Sequence, residues 1–117
     1  MAAHERVIGN LADLHDGGDG VRFTVRSATG ELPAFVVRHR GAVHAYLNVC
    51  AHQHVELDWL PGAFFDAGGQ TLVCSLHGAH YEPDSGRCVA GPCVGAALTR
   101  VPIRVRADGA IVVAVDL

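Results

Sequence analysis

Short apolar runs broken by glycine and proline set the rhythm of this chain. The breaks recur roughly every eight to twelve residues, a spacing typical of all-β domains. "VRFTVRS" (Val21 to Ser27) and "PAFVVRHR" (Pro33 to Arg40) predict two strands joined by the turn "ATGEL". "AVHAYLNV" (Ala42 to Val49) alternates, with Val43, Ala45 and Leu47 on one face, and predicts a third. "RVPIRVRADGAIVVAVDL" predicts a terminal hairpin, with Asp108-Gly109 supplying the φ > 0 turn residues. Only "GNLADLHD" reads as a helical turn.

Between Val49 and Gly95 the alternation stops. This stretch is loop-rich and holds all four cysteines. Long loops in a small β-domain usually carry the function.

At 117 residues the length suits one domain. Half the residues are hydrophobic and 18% are charged, a globular rather than a disordered balance. The formal charge of −3, with no basic run, argues against nucleic acid or an anionic membrane as partner. The start "MAAHERVIGN" lacks the apolar core of a signal peptide, and no segment approaches the length of a membrane-spanning helix. The expectation is a cytoplasmic protein whose thiols stay reduced, so four cysteines point to metal binding or chemistry before disulfides.

The chemistry concentrates in two short motifs. "NVCAHQH" contains Cys50 and His52 as C-x-H, and "LVCSLHGAHYEPDSG" contains Cys74 and His77 as C-x-x-H, with 21 residues between His52 and Cys74. Zinc modules usually pair like ligands along the chain. Here each motif is mixed, which suits a [2Fe–2S] cluster with both cysteines on one iron and both histidines on the other. Cys88 and Cys93 do not complete the spacing of an all-cysteine ferredoxin.

At "CAHQH", "CSLHGAHYEPDSG" and the third loop "GPC" (Gly91 to Cys93) the sequence resembles the Rieske family. The resemblance implies a [2Fe–2S] cluster, one per chain, with Cys50 and Cys74 on the inner iron and His52 and His77 on the outer. It also implies an antiparallel β-sandwich or partial barrel, a single domain over 1–117 with a cluster-binding subdomain inserted over about 48–93. Gly78, Ala79, Tyr81 and Pro92 would surround the cluster.

The chain departs from the family in two respects. Membrane-complex members carry an extra cysteine in each ligand loop, and the matching Val55 and Ser75 or Leu76 are not cysteines. High-potential members read "GSHY" where this chain reads "GAHY" (Gly78 to Tyr81). Ala79 removes a hydroxyl that would bond a bridging sulfide, while Tyr81 keeps a donor for a cysteine sulfur. Hydrogen bonds to sulfur raise the potential, so the expectation is the lower part of the range, roughly −150 to +50 mV.

The remaining residues take plainer readings. His54, His80, His39 and His44 are expected as solvated loop or strand residues. Cys88 and Cys93 are expected as buried thiols, with a redox-active pair as the alternative. Trp59, Phe64 and Phe65 would wedge the cluster subdomain against the base, and Glu56, Asp58 and Asp66 would form a solvated acidic face.

A cluster alone moves one electron, and no nucleophile–base pair, phosphate loop or nucleotide fingerprint is visible. The expected role is therefore that of a carrier, not an enzyme: the ferredoxin component passing electrons from an NAD(P)H-dependent flavoprotein reductase to a terminal oxygenase. A small accessory subunit of a reductase, like that of nitrite reductases, is the alternative. A zinc-stabilised interaction module is a third reading.

Overall fold

A computed structural model describes residues 5–28, 30–51, 55–58, 60–75 and 78–114. Among them lie strands β1 (Glu5–Asn10), β2 (Val21–Ser27), β3 (Gly30–His39), β4 (Ala42–Leu47), β5 (Leu72–Val73), β6 (His80–Tyr81), β7 (Cys88–Ala90), β8 (Ile103–Val105) and β9 (Ala110–Ala114). A single 3-10 turn, Leu11–Asp13, stands where the helical turn was expected, capped by the Asn10 side chain on the Ala12 N–H. The strands form three antiparallel sheets, ordered β1-β9-β8, β2-β3-β4 and β5-β6-β7. This is the all-β architecture that the punctuation predicts.

The run Ala34-Phe35-Val36-Val37 is buried at every position, as expected of a strand covered on both faces. Ala34 and Val36 belong to one core with Val25, Ala45, Val101, Ile111 and Val113. Phe35 and Val37 belong to the other, with Tyr46, Phe64, Leu72 and all four cysteines. The β2-β3-β4 sheet thus separates a base core from the core of the loop-rich region. Phe64 stacks on Phe35 with ring centroids 4.0 Å apart, a contact of about 0.5–1.5 kcal/mol beyond its burial. The expected wedge is therefore present at Phe64, and Trp59 lies outside the described residues.

Main chain meets main chain beside this wedge. A β-carbon on Gly17 would lie 2.8 Å from the Gly69 carbonyl oxygen, and one on Gly69 would lie 3.3 Å from Gly17 Cα. Close by, the Gly20 N–H donates to the Gly62 carbonyl at 2.8 Å. No side chain fits at that seam.

Three local expectations need correction. The first turn is shorter than "ATGEL", because Ser27 and Gly30 already pair in register and β3 begins three residues early. In the last hairpin only Gly109 takes positive φ, at 88°. Asp108 instead accepts the Ala110 N–H on its carboxylate at 3.0 Å, while Arg106 and Ala110 close a longer loop. His39 and His44 are not solvated: their side chains are 8% and 13% exposed and both face Asp84 Oδ1, at 3.3 and 3.4 Å. The short β3–β4 turn folds them onto the second core, against the loop that carries Asp84.

Burial holds the His44 pKa below the ordinary histidine value, with Asp84 partly opposing. A depressed folded pKa means that the unfolded chain binds the proton first, so this stability is present above the unfolded value near 6.5 and is lost on acidification. Urea unfolding of the wild type should therefore weaken more between neutral pH and pH ~5 than that of His44→Gln, given an unperturbed histidine pKa of about 6.5. Equal pH slopes in the two proteins would refute the assignment.

Candidate cofactor site

Strand β4 ends at Leu47, and the next residue, Asn48, turns its amide into the interior. Its Nδ2 donates to Asp58 Oδ1 at 2.9 Å and its Oδ1 accepts the Leu57 N–H at 2.8 Å. Asp58 also accepts the Gly62 N–H at 2.9 Å and lies 3.5 Å from Arg22 Nε. The first loop is thus clamped at its neck, and the Cys50 N–H donates to the Val55 carbonyl at 2.8 Å within it. Asp58 is buried with three partners, where the sequence suggested a solvated acidic face. Glu56 is exposed and pairs with Arg22 at 2.7 Å.

The second loop leaves β5 at Cys74. The Cys74 N–H donates to the Ala79 carbonyl and the Gly78 N–H donates back to the Cys74 carbonyl, both at 2.9 Å. A tight loop results, with its ends bonded across and Gly78 at φ 68°. The two loops are tied together by the Ser75 N–H donating to the Leu57 carbonyl at 3.1 Å. Cys50 and Cys74, far apart in sequence, are both buried in the same core.

Tyr81 stands between the loops, fully buried. Its hydroxyl oxygen accepts the Ala51 N–H at 3.0 Å and lies 3.3 Å from both Cys50 Sγ and Cys93 Sγ. Burial and the two sulfur neighbours push its pKa well above the ordinary phenol value, so it keeps its proton and can donate to sulfur. Ala79 is buried as well and offers a methyl group where a hydroxyl donor would otherwise sit. Pro92 is exposed on the loop that follows β7.

His52 and His77, the two imidazoles expected in the site, lie outside the described residues, as do His54 and Leu76. Among the described residues alone, no three His, Cys, Asp or Glu side chains converge as a metal site. His80 is half-buried, with its Nδ1 2.8 Å from Thr71 Oγ1, and that hydroxyl donates to Asp66 at 2.9 Å. It fastens the 66–71 loop. Backbone N–H donation from Gln70 leads the causes that lower the Asp66 pKa. Asn48 is the residue that sequence reasoning missed. Its one signal is a polar residue closing an apolar strand two positions before Cys50.

Two buried sulfurs on loops tied to each other form a soft donor pair, and a buried thiolate without a metal or a cation would be costly. With a hydroxyl donor at one sulfur, the donor set fits an iron–sulfur group.

The family described as Rieske [2Fe-2S] domain matches residues 5–107. No curated protein sequence matches the chain. Among solved structures, the ferredoxin of carbazole 1,9a-dioxygenase from Nocardioides aromaticivorans IC177 is similar, at 24% identity and a TM-score of 0.71, over 96% of this chain and 98% of that one. The Sphingomonas yanoikuyae B1 ferredoxin is similar at 21% identity and a TM-score of 0.70, over 95% and 98%. The terminal oxygenase of the Nocardioides aromaticivorans IC177 dioxygenase matches 97% of this chain with 30% of its own length, at 26% identity and a TM-score of 0.74. No helix among the described residues is long and apolar enough to cross a membrane.

Removing the Asn48 amide would strand the Leu57 N–H and one Asp58 oxygen in the interior. Asn48→Ala should cost about 2–6 kcal/mol, at about 1–3 kcal/mol for each orphaned buried group, and should loosen iron retention. Urea unfolding followed by circular dichroism, with iron counted after gel filtration, checks this. An unfolding midpoint and an iron content equal to wild type would contradict it.

Proposed function

We propose that this chain, which belongs to the Rieske [2Fe–2S] domain family, is the ferredoxin component of a multicomponent oxygenase system. In this reading it takes electrons from an NAD(P)H-dependent flavoprotein reductase and hands them singly to a terminal oxygenase. The observation that carries the reading is the likeness, over nearly the full length of both chains, to free-standing ferredoxins. A carbazole dioxygenase ferredoxin solved in complex with its oxygenase is similar too, with a TM-score of 0.72. The work of the protein is then transport, and bond chemistry belongs to the partner. We place it in the cytoplasm, where a flavoprotein reductase meets its nicotinamide donor.

Cys50 and Cys74 would hold one iron and His52 and His77 the other, within a single domain whose cluster-binding part spans about 48–93. When bound, the cluster supplies a one-electron couple in the Rieske range. The protein's own contribution is electrostatic. The Tyr81 hydroxyl, 3.3 Å from Cys50 Sγ, is placed to donate to it and would favour the more negative, reduced state. The buried surroundings of both sulfurs keep water from them. The Ala79 methyl withholds a second donor, which sets the potential low within the family range.

Low-temperature EPR on anaerobically purified protein, before and after dithionite, tests the reading, with iron, sulfide and zinc counted on the same sample. The expected result is two irons and two sulfides, as in [2Fe–2S], with a rhombic signal on reduction. A silent, colourless protein with zinc would overturn it. In Tyr81→Phe the midpoint potential should fall by about 40 mV, the equivalent of a hydrogen bond about 1 kcal/mol stronger in the reduced state. An unchanged midpoint would remove Tyr81 from that role.

A further inference from the structure

All four cysteines share one buried core, and two of them have no expected part in holding the cluster. Cys88, on β7, and Cys93, in the loop beyond, carry thiols whose sulfurs lie 3.0 Å apart. The Cys93 S–H points at Cys88, and the Cys88 S–H donates to the Ala90 carbonyl at 3.2 Å. Backbone bonds hold the pair: the Cys88 N–H donates to the Ala96 carbonyl and the Ala96 N–H to the Cys93 carbonyl, each at 2.9 Å. Gly91 presses the loop onto the second ligand loop, so closely that a β-carbon there would lie 2.8 Å from Ala79 Cα. Disulfide sulfurs are bonded at about 2.05 Å. Closure needs an approach of only about 1 Å, within the reach of small χ1 adjustments.

We propose that Cys88 and Cys93 form a reversible dithiol–disulfide couple, a second redox site beside the cluster site, read out by the hydroxyl of Tyr81. The loop edge is open, with Val89 and Val94 half or more exposed, and residue Cys93 is 8% exposed against 4% for Cys88. A low-molecular-weight disulfide such as glutathione disulfide is the oxidant. The Cys93 thiolate attacks it and releases one glutathione. The Cys88 sulfur then attacks Cys93 in the mixed disulfide and releases the second. Two protein thiols and one glutathione disulfide become one protein disulfide and two glutathiones. Two electrons pass to the oxidant, and the two thiol protons leave with the products. Burial and the neighbouring Cys93 raise the Cys88 thiol above its ordinary value, and Cys93, flanked by the exposed Pro92 and Val94, is the point of entry.

Tyr81 gives the couple its consequence. Its single hydroxyl proton faces Cys50 and Cys93 at equal distances of 3.3 Å. Oxidation draws the Cys93 sulfur toward Cys88 and weakens it as an acceptor, leaving the proton to Cys50. The midpoint potential of the cluster then rises. This coupling rests on the cluster reading above, whereas the disulfide does not.

The test uses the full, cluster-loaded chain, equilibrated anaerobically across ratios of glutathione to glutathione disulfide, then acid-quenched, alkylated and cut with trypsin. Arg87 and Arg100 bound one peptide containing both Cys88 and Cys93. Its two alkyl labels should vanish together under oxidising ratios, leaving a peptide lighter by two hydrogens, and return with excess glutathione. Cys88→Ser should stall at a glutathione adduct on Cys93. Two labels at every ratio, or a wild-type adduct that never closes, would overturn the couple. EPR-monitored titration of both thiol states should show the cluster midpoint higher in the disulfide form, with no such difference in Tyr81→Phe. A wild-type midpoint indifferent to thiol state would overturn the coupling. Disulfide closure in a chain without a cluster signal would sink the carrier reading and uphold the couple.

Discussion

Strand β3 is apolar and buried on both faces from Ala34 to Val37, and the rest of the molecule depends on that. A half-buried sheet would support one core and leave the loops after β4 with nothing to pack against. Because Phe35, Val37 and Tyr46 point away from the base, the chain between β4 and β8 gains a dry floor. Two loops can then present cysteine sulfurs inside the protein rather than on its surface, and a low local dielectric strengthens every dipole aimed at them. The electrostatic character of the site is therefore inherited from a strand that takes no part in it.

On that floor, polar groups do the positioning. Asn48 and Asp58 close the neck of one loop, Cys74 and Ala79 bond across the other, and the Ser75–Leu57 bond joins them. Two of these bonds close within a loop and the third runs between the loops, so each loop is shaped locally and then fixed to the other. Tyr81 stands where they meet, with one hydroxyl serving a backbone amide and two sulfurs.

Much of this was legible in the sequence. Glycine and proline spacing identified the strands, and the C-x-H and C-x-x-H motifs pointed to the two loops whose cysteines the fold buries in one core. The errors share a cause. His39, His44 and Asp58 are polar residues whose burial depends on partners 10 to 45 positions away, such as Asp84 and Asn48, and no local pattern announces those partners. The reading of strand β4 was right about the face carrying Val43, Ala45 and Leu47, but alternation does not reveal that the opposite face, with Tyr46, is also covered. Asp108 shows the smaller version of the same limit. Its turn type was set by a carboxylate–amide bond, whereas dipeptide preference alone favours a tighter hairpin.

The Gly17–Gly69 contact has a consequence for how such a protein can change over generations. Where loop and base touch through main chain, no side-chain shape is matched across the join. Substitutions on either side are then invisible to the other, provided that the two glycines stay. At that join the 66–71 loop and the segment before β2 can each drift without the other having to keep step, whereas the Phe64–Phe35 stack and the Arg22 pairs remain the places where loop and base must change together.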